Sequence, residues 1–175
     1  MFMKSESETA LNQLVGLPLW AMGGAGSMQW FEFGECREII KPDESSHLTG
    51  EWALHVFCAW RICDSTQILV ASYDRCRKIE ILENYVENFG RDEKFDAHLF
   101  GESQAFLRGR TFFADQTDSL CVSEVAVDNA NGFRLSFETG FFLDVFPDCS
   151  IEGFEHWRLL KTITNSADFI VSVRK

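Results

Sequence analysis

The chain has 175 residues, 46% of them hydrophobic, 14% aromatic and 25% charged, which suits one globular domain, residues 1–175, able to bury its own core. Sixteen Lys and Arg against 27 Asp and Glu leave a formal charge of −11, a surface that repels phosphate backbones and anionic headgroups and so argues against nucleic acid and membranes as partners. The excess stands at −6 over residues 1–88 and −5 over residues 89–175, so it describes a whole surface and not a tail.

The N-terminus lacks a basic start, an apolar stretch and a small-residue cleavage site, so no secretory signal is expected and the chain is placed in the cytoplasm. Ser5-Glu6-Ser7-Glu8 has the form of a capping box, and Leu11, Leu14 and Val15 follow at helical spacing before Gly16, which predicts a short N-terminal helix. Gly23-Gly24-Ala25-Gly26 has neither a dinucleotide-loop pattern nor a following Lys-Ser or Lys-Thr, and reads as a turn before a strand. Strands are predicted over Met28–Phe33, Trp52–Ile62 and Gln67–Ser72. Leu82, Tyr85, Val86 and Phe89 form a helical stripe ended by Gly90, predicting a second helix over Arg77–Phe89. Residues 91–118 fit neither period. Further strands are predicted over Cys121–Asp128, Phe133–Glu138, Phe141–Phe146, Trp157–Thr162 and Phe169–Arg174. The fold class is therefore α+β, a mainly antiparallel β-sheet with a short N-terminal helix and one or two further helices.

Register can be argued in the second half. A three-residue loop Glu138-Thr139-Gly140 pairs Leu135 with Leu143 and Phe133 with Val145, and gives Gly140 the position that wants positive φ. A loop Ala130-Asn131-Gly132 pairs Val127 with Leu135 in the same way. Asp128, Arg134 and Asp144 then fall side by side on the opposite face as a structural ion triplet.

Chemistry-bearing motifs are sparse. Cys36, Cys58, Cys63, Cys76, Cys121 and Cys149 include no Cys-x-x-Cys pair, and His47, His55, His98 and His156 show no ligand spacing, so no metal site and no cofactor is expected. No Gly-x-Ser-x-Gly elbow occurs, and no catalytic residue is nominated. The unusual features are Trp60-Arg61 and Trp157-Arg158, each placing an Arg in an apolar strand where it needs a carboxylate, with Asp74 and Asp96 as candidate partners. Together Trp60, Arg61, Asp74, Asp96, Trp157 and Arg158 are the candidate ligand-binding residues, either as a polar cleft or as salt bridges that fix the sheet.

Gly16, Pro18-Leu19-Trp20, Met28, Trp30-Phe31, Phe33-Gly34, Glu51-Trp52-Ala53-Leu54-His55-Val56, Trp60-Arg61, Ser72, Asp74, Phe95-Asp96, Gly132-Phe133, Leu135, Leu143, Val145-Phe146-Pro147-Asp148, Glu155 and Trp157-Arg158 follow in an order that resembles a family of small uncharacterised bacterial proteins. The resemblance implies a bacterial, cytosolic single domain. In type, the compact acidic form is similar to the immunity proteins of bacterial toxin systems, which mask toxins through acidic surfaces. The leading expectation is a non-enzymatic binding protein whose partner is a basic protein such as a toxin. The alternative is an enzyme or small-ligand protein with the Trp/Arg/Asp-lined cleft, and a third reading is self-association through unpaired sheet edges.

Overall fold

The computed structural model describes residues 4–40, 46–73, 120–163 and 166–174. The chain begins with α1 (Lys4–Leu11) and a 3-10 turn (Asn12–Leu14), then runs through β1 (Pro18–Ala25), β2 (Met28–Phe33), β3 (Arg37–Ile40), β4 (Ser46–Thr49), β5 (Trp52–Val56), β6 (Ala59–Cys63) and β7 (Ile68–Ala71). It continues with β8 (Leu120–Val127), β9 (Phe133–Phe137), β10 (Phe142–Phe146), β11 (Glu155–Ile163) and β12 (Ser166–Arg174). The architecture is mainly antiparallel sheet with one short N-terminal helix. No further α-helix is seen among the described residues, and the helix expected over Arg77–Phe89 lies outside them. No described helix is long and apolar enough to cross a membrane.

Among the described residues ten strands form one sheet in the order β12-β11-β5-β2-β1-β8-β9-β10-β6-β7, and β3 with β4 makes a separate two-stranded ribbon. The long sheet is two five-stranded halves. They join through the short β1–β8 pairing at Pro18↔Cys121 and Leu19↔Leu120, extended by Gly16 N–H donating to Val122 O at 2.7 Å. The chain also crosses from one half to the other between β5 and β6.

Alternation along each strand aims one apolar face inward. The two inward faces meet through Phe31 of β2 edge-on to Trp60 of β6, centroids 5.3 Å apart, and Phe133 of β9 edge-on to Trp157 of β11 at 5.0 Å. Leu54, Ile62, Leu135, Leu143 and Leu159 fill the space between. Leu11 and Leu14 bring the N-terminal helical segment into the same core, and buried Ser7 donates from Oγ to Asn131 Oδ1.

The Trp52–Ile62 strand expected as one piece is two. At Phe57-Cys58 the chain leaves one half-sheet for the other, and Phe57 N–H donates to His156 O instead of continuing a straight ladder. No Gly or Pro marks this break in the sequence.

The Gly23-Gly24-Ala25 segment, expected as a turn, is the end of β1. Its register sets Gly23 opposite Trp30, and a Cβ at Gly23 would overlap the Trp30 indole. Glycine is there for room, and the turn itself falls at Gly26, φ +58°. Gly23→Ala should therefore destabilise the chain by about 1–3 kcal/mol in urea unfolding, and by much less when Trp30 is already Ala. An equal cost in both backgrounds would show that the indole is not the obstacle.

The β9–β10 register agrees with the sequence argument: Leu143 faces Leu135, Asp144 faces Arg134 and Val145 faces Phe133, with Gly140 at φ +84°. The β8–β9 register does not. Val127 faces Phe133 and Val125 faces Leu135, because the three-residue loop is Asn129-Ala130-Asn131, closed by Asp128 N–H to Gly132 O at 2.8 Å. Asn131, at φ 61°, takes the left-handed conformation. Gly132 serves close approach instead, since a Cβ there would lie 2.6 Å from Asp128 Oδ2 and 3.0 Å from Val145 O.

Candidate functional site

Alternation sends the two halves of each Trp-Arg pair in opposite directions. Trp60 and Trp157 are core residues, and the Trp157 indole N–H donates to Asn131 O at 2.8 Å. Arg61 and Arg158 lie on the outward faces of different half-sheets, so the described residues of the expected cleft are not brought together. Asp74 and Asp96 lie outside the described residues. The carboxylates that the two arginines use are Asp144 and Glu155.

Asp144 has a side chain only 5% exposed, beneath two guanidiniums. Arg134 holds it at both oxygens, Nε to Oδ1 at 2.6 Å and Nη2 to Oδ2 at 2.9 Å. Arg61 Nε adds a donor to Oδ2 at 3.0 Å from the strand on the other side. Arg134 stacks over Phe142 at 4.0 Å and Arg61 over Phe146 at 4.9 Å. A carboxylate held by this many donors is an architectural anchor that ties β6, β9 and β10 together. The triplet that forms is Arg61–Asp144–Arg134, in place of the expected Asp128–Arg134–Asp144. Asp128 is not its third member, because the shifted β8–β9 register sets Ala126 opposite Arg134; its Oδ1 instead accepts the N–H groups of Ala130 and Gly132.

On the other half-sheet, Ser172, Arg158, His55, Trp30 and Gly23 form one cross-strand row. Arg158 donates from Nε to His55 Nδ1 at 3.2 Å and from Nη1 to Glu155 Oε2 at 3.3 Å, and lies 5.2 Å over Phe57. A bulge between Glu155 and Trp157 puts Glu155 on the same face as Arg158, which an unbroken strand would not do. Burial, and then the Arg158 guanidinium, push the His55 imidazole down to about 4, against the weaker pull of Glu155.

A third polar node sits where the ribbon returns to the sheet. Glu32 of β2 accepts Gly50 N–H at 2.7 Å and the Thr49 hydroxyl at 3.3 Å. Burial pushes its carboxyl up to about 7, partly offset by these two donors.

The convergence that the sequence did not reveal is Cys58, Asp148 and His156. They come from the β5–β6 link, the segment after β10 and the β11 bulge, and their ligand atoms all lie within 4.8 Å of one another. Cys58 and His156 are 7% and 4% exposed, while Asp148 is exposed at the rim. Burial, then the Asp148 carboxylate, push the Cys58 thiol up to about 12, so the bare thiol is protonated at neutral pH and is no ready nucleophile. Contributions from three separate elements leave no spacing for a motif search to find.

An open groove of about 650 Å³ runs between α1 and β5, β11 and β12, lined in part by Glu6, Thr9, Trp52 and Lys161. Neither Arg61 nor Arg158 lines it. Comparison of the chain with protein-family models, with curated proteins and with solved structures finds no match.

Proposed function

We propose that the chain is a non-enzymatic acidic binding protein whose partner is a basic protein, in the manner of a bacterial immunity protein that masks a toxin. The observation that carries this reading is the arrangement of charge. Arg37, Arg61, Arg134, Arg158, Lys161 and Arg174 each lie at ion-pair distance from one of the chain's own carboxylates. Glu8, Glu38, Glu124, Glu138 and Glu152 are exposed. Among the described residues these six cations are engaged with the chain's own carboxylates while the five glutamates face solvent, which favours negative potential on this part of the surface.

The contact surface best suited to such a partner is the β3–β4 ribbon. Register puts Glu38 opposite Leu48 and Ile40 opposite Ser46, so one ribbon face carries Glu38 with Ile40 and Leu48, which are 68% and 46% exposed. Two exposed apolar side chains beside a carboxylate suit a basic protein that has an apolar centre to its interface. The small-ligand alternative draws no support from Trp60 and Trp157, which fill the core.

Affinity capture at low salt followed by titration of the purified captured protein tests the proposal. The expected result is a one-to-one complex with a basic protein whose affinity falls steeply as salt is raised from about 50 to 300 mM. Glu38→Lys with Leu48→Ser should weaken it by about tenfold or more without unfolding the chain. A salt-insensitive affinity, or a partner of acidic charge, would overturn the proposal.

A further inference from the structure

We propose that Cys58, Asp148 and His156 form a binding site for a divalent cation of the zinc class. A tetrahedral ion with bonds of roughly 2.0–2.3 Å holds its ligand atoms roughly 3.3–3.8 Å apart. Sγ, the carboxylate oxygen and the imidazole nitrogen already lie within 4.8 Å of one another, so side-chain adjustment of about an ångström closes the site. The donor set selects the ion: thiolate with imidazole and carboxylate suits zinc, whereas magnesium and calcium demand oxygen.

The surroundings are those of a supported site. Phe57 N–H donates to His156 O at 2.8 Å, tying the link that bears Cys58 to the bulge that bears His156. The N–H of Phe146 and that of Cys58 itself are directed at Sγ, as outer donors are at metal-bound sulfur. Phe154 braces the imidazole edge-on at 5.4 Å. Exposed Asp148 leaves a path from solvent and a fourth position for water.

The same three residue types also make nucleophilic triads, but there the carboxylate lies beyond the histidine, remote from the sulfur. Here the three ligand atoms form a closed triangle, which is the geometry of a shared ion.

Titration of the metal-free full chain with Co²⁺, followed by Zn²⁺, tests the site. The expected result is one Co²⁺ per chain with a thiolate-to-cobalt charge-transfer band that Zn²⁺ displaces. The band should be lost in Cys58→Ser and in His156→Ala, and kept in Cys149→Ser. Asp148→Asn, at an exposed position that should leave the fold intact, should weaken binding by at least the roughly 10–100-fold that loss of an outer-shell partner costs. Absence of the band in the wild-type chain, or its survival in folded Cys58→Ser, would overturn the proposal. If the buried variants do not fold, an unchanged affinity in Asp148→Asn would overturn it.

Discussion

Replacing Trp157 by Ala should cost about 3–5 kcal/mol of folding stability, the largest effect expected of a single substitution in this chain. The side chain is fully buried, and it does two things at once. Its ring packs edge-on against Phe133 of the opposing half-sheet at 5.0 Å. Its N–H satisfies Asn131 O at 2.8 Å, in the residue that turns the β8–β9 hairpin and accepts a hydrogen bond from Ser7 of α1. It therefore joins β11, the hairpin and, through Asn131, the N-terminal helix. Trp157→Phe keeps most of the apolar contact and loses the donor, and should cost about 1–3 kcal/mol. Urea unfolding of both variants checks the ranking. An alanine variant no less stable than the phenylalanine variant would mean that the two half-sheets are not clasped at this ring.

The second large effect is a pair of opposed pH dependences. Glu32 titrates at about 7 in the folded chain against 4.5 as a free group. Between those values the folded state keeps a proton that the unfolded state has lost, so this group makes stability fall as pH rises through that window. His55 titrates at about 4 in the folded chain against 6.5 as a free group. Here the unfolded state holds the extra proton, so this group makes stability rise with pH from about 4 to 6.5. Each tenfold in proton affinity is about 1.4 kcal/mol, so each group contributes on the order of 3 kcal/mol, and the two nearly cancel over their shared range.

Single variants should uncover the hidden slopes. Relative to wild type, Glu32→Gln should be near neutral at pH 4.5 and progressively more stable toward pH 7.5. His55→Gln should gain relative stability as the pH falls from 6.5 to 4. Urea titrations at a series of pH values read both differences. A Glu32→Gln chain that tracks wild type throughout would show that its carboxyl is not held protonated by burial.

What the sequence made legible was local. The β9–β10 hairpin could be read to the residue because its apolar alternation and Gly140 both point to one loop. The neighbouring hairpin looked equally well marked, yet Asn131 took the left-handed position and Gly132 was needed for close approach to Asp128 and Val145 O. Strand β1 was hidden by Gly23 and Gly24; the small size of Gly23 answers to Trp30 on the next strand, a cause that no local pattern carries. The ribbon strands are short and exposed, without the alternation that betrays a buried strand.

The site followed the same division. The pairing of Arg134 with Asp144 was readable from one hairpin. That of Arg61 with Asp144 spans 83 residues of sequence and needs the β6–β10 pairing, which only the completed sheet supplies. Glu155 reaches Arg158 through a bulge, and Cys58, Asp148 and His156 meet only once the two half-sheets are folded together.

The proposed docking site for a basic partner is the face of the β3–β4 ribbon that carries Glu38, Ile40 and Leu48. Amide hydrogen exchange of the chain, alone and with its captured partner, tests it most directly. New protection is expected over Arg37–Ile40 and Ser46–Thr49 and none on the Arg61–Asp144–Arg134 face. Protection confined to that arginine-bearing face, with the ribbon unchanged, would contradict it.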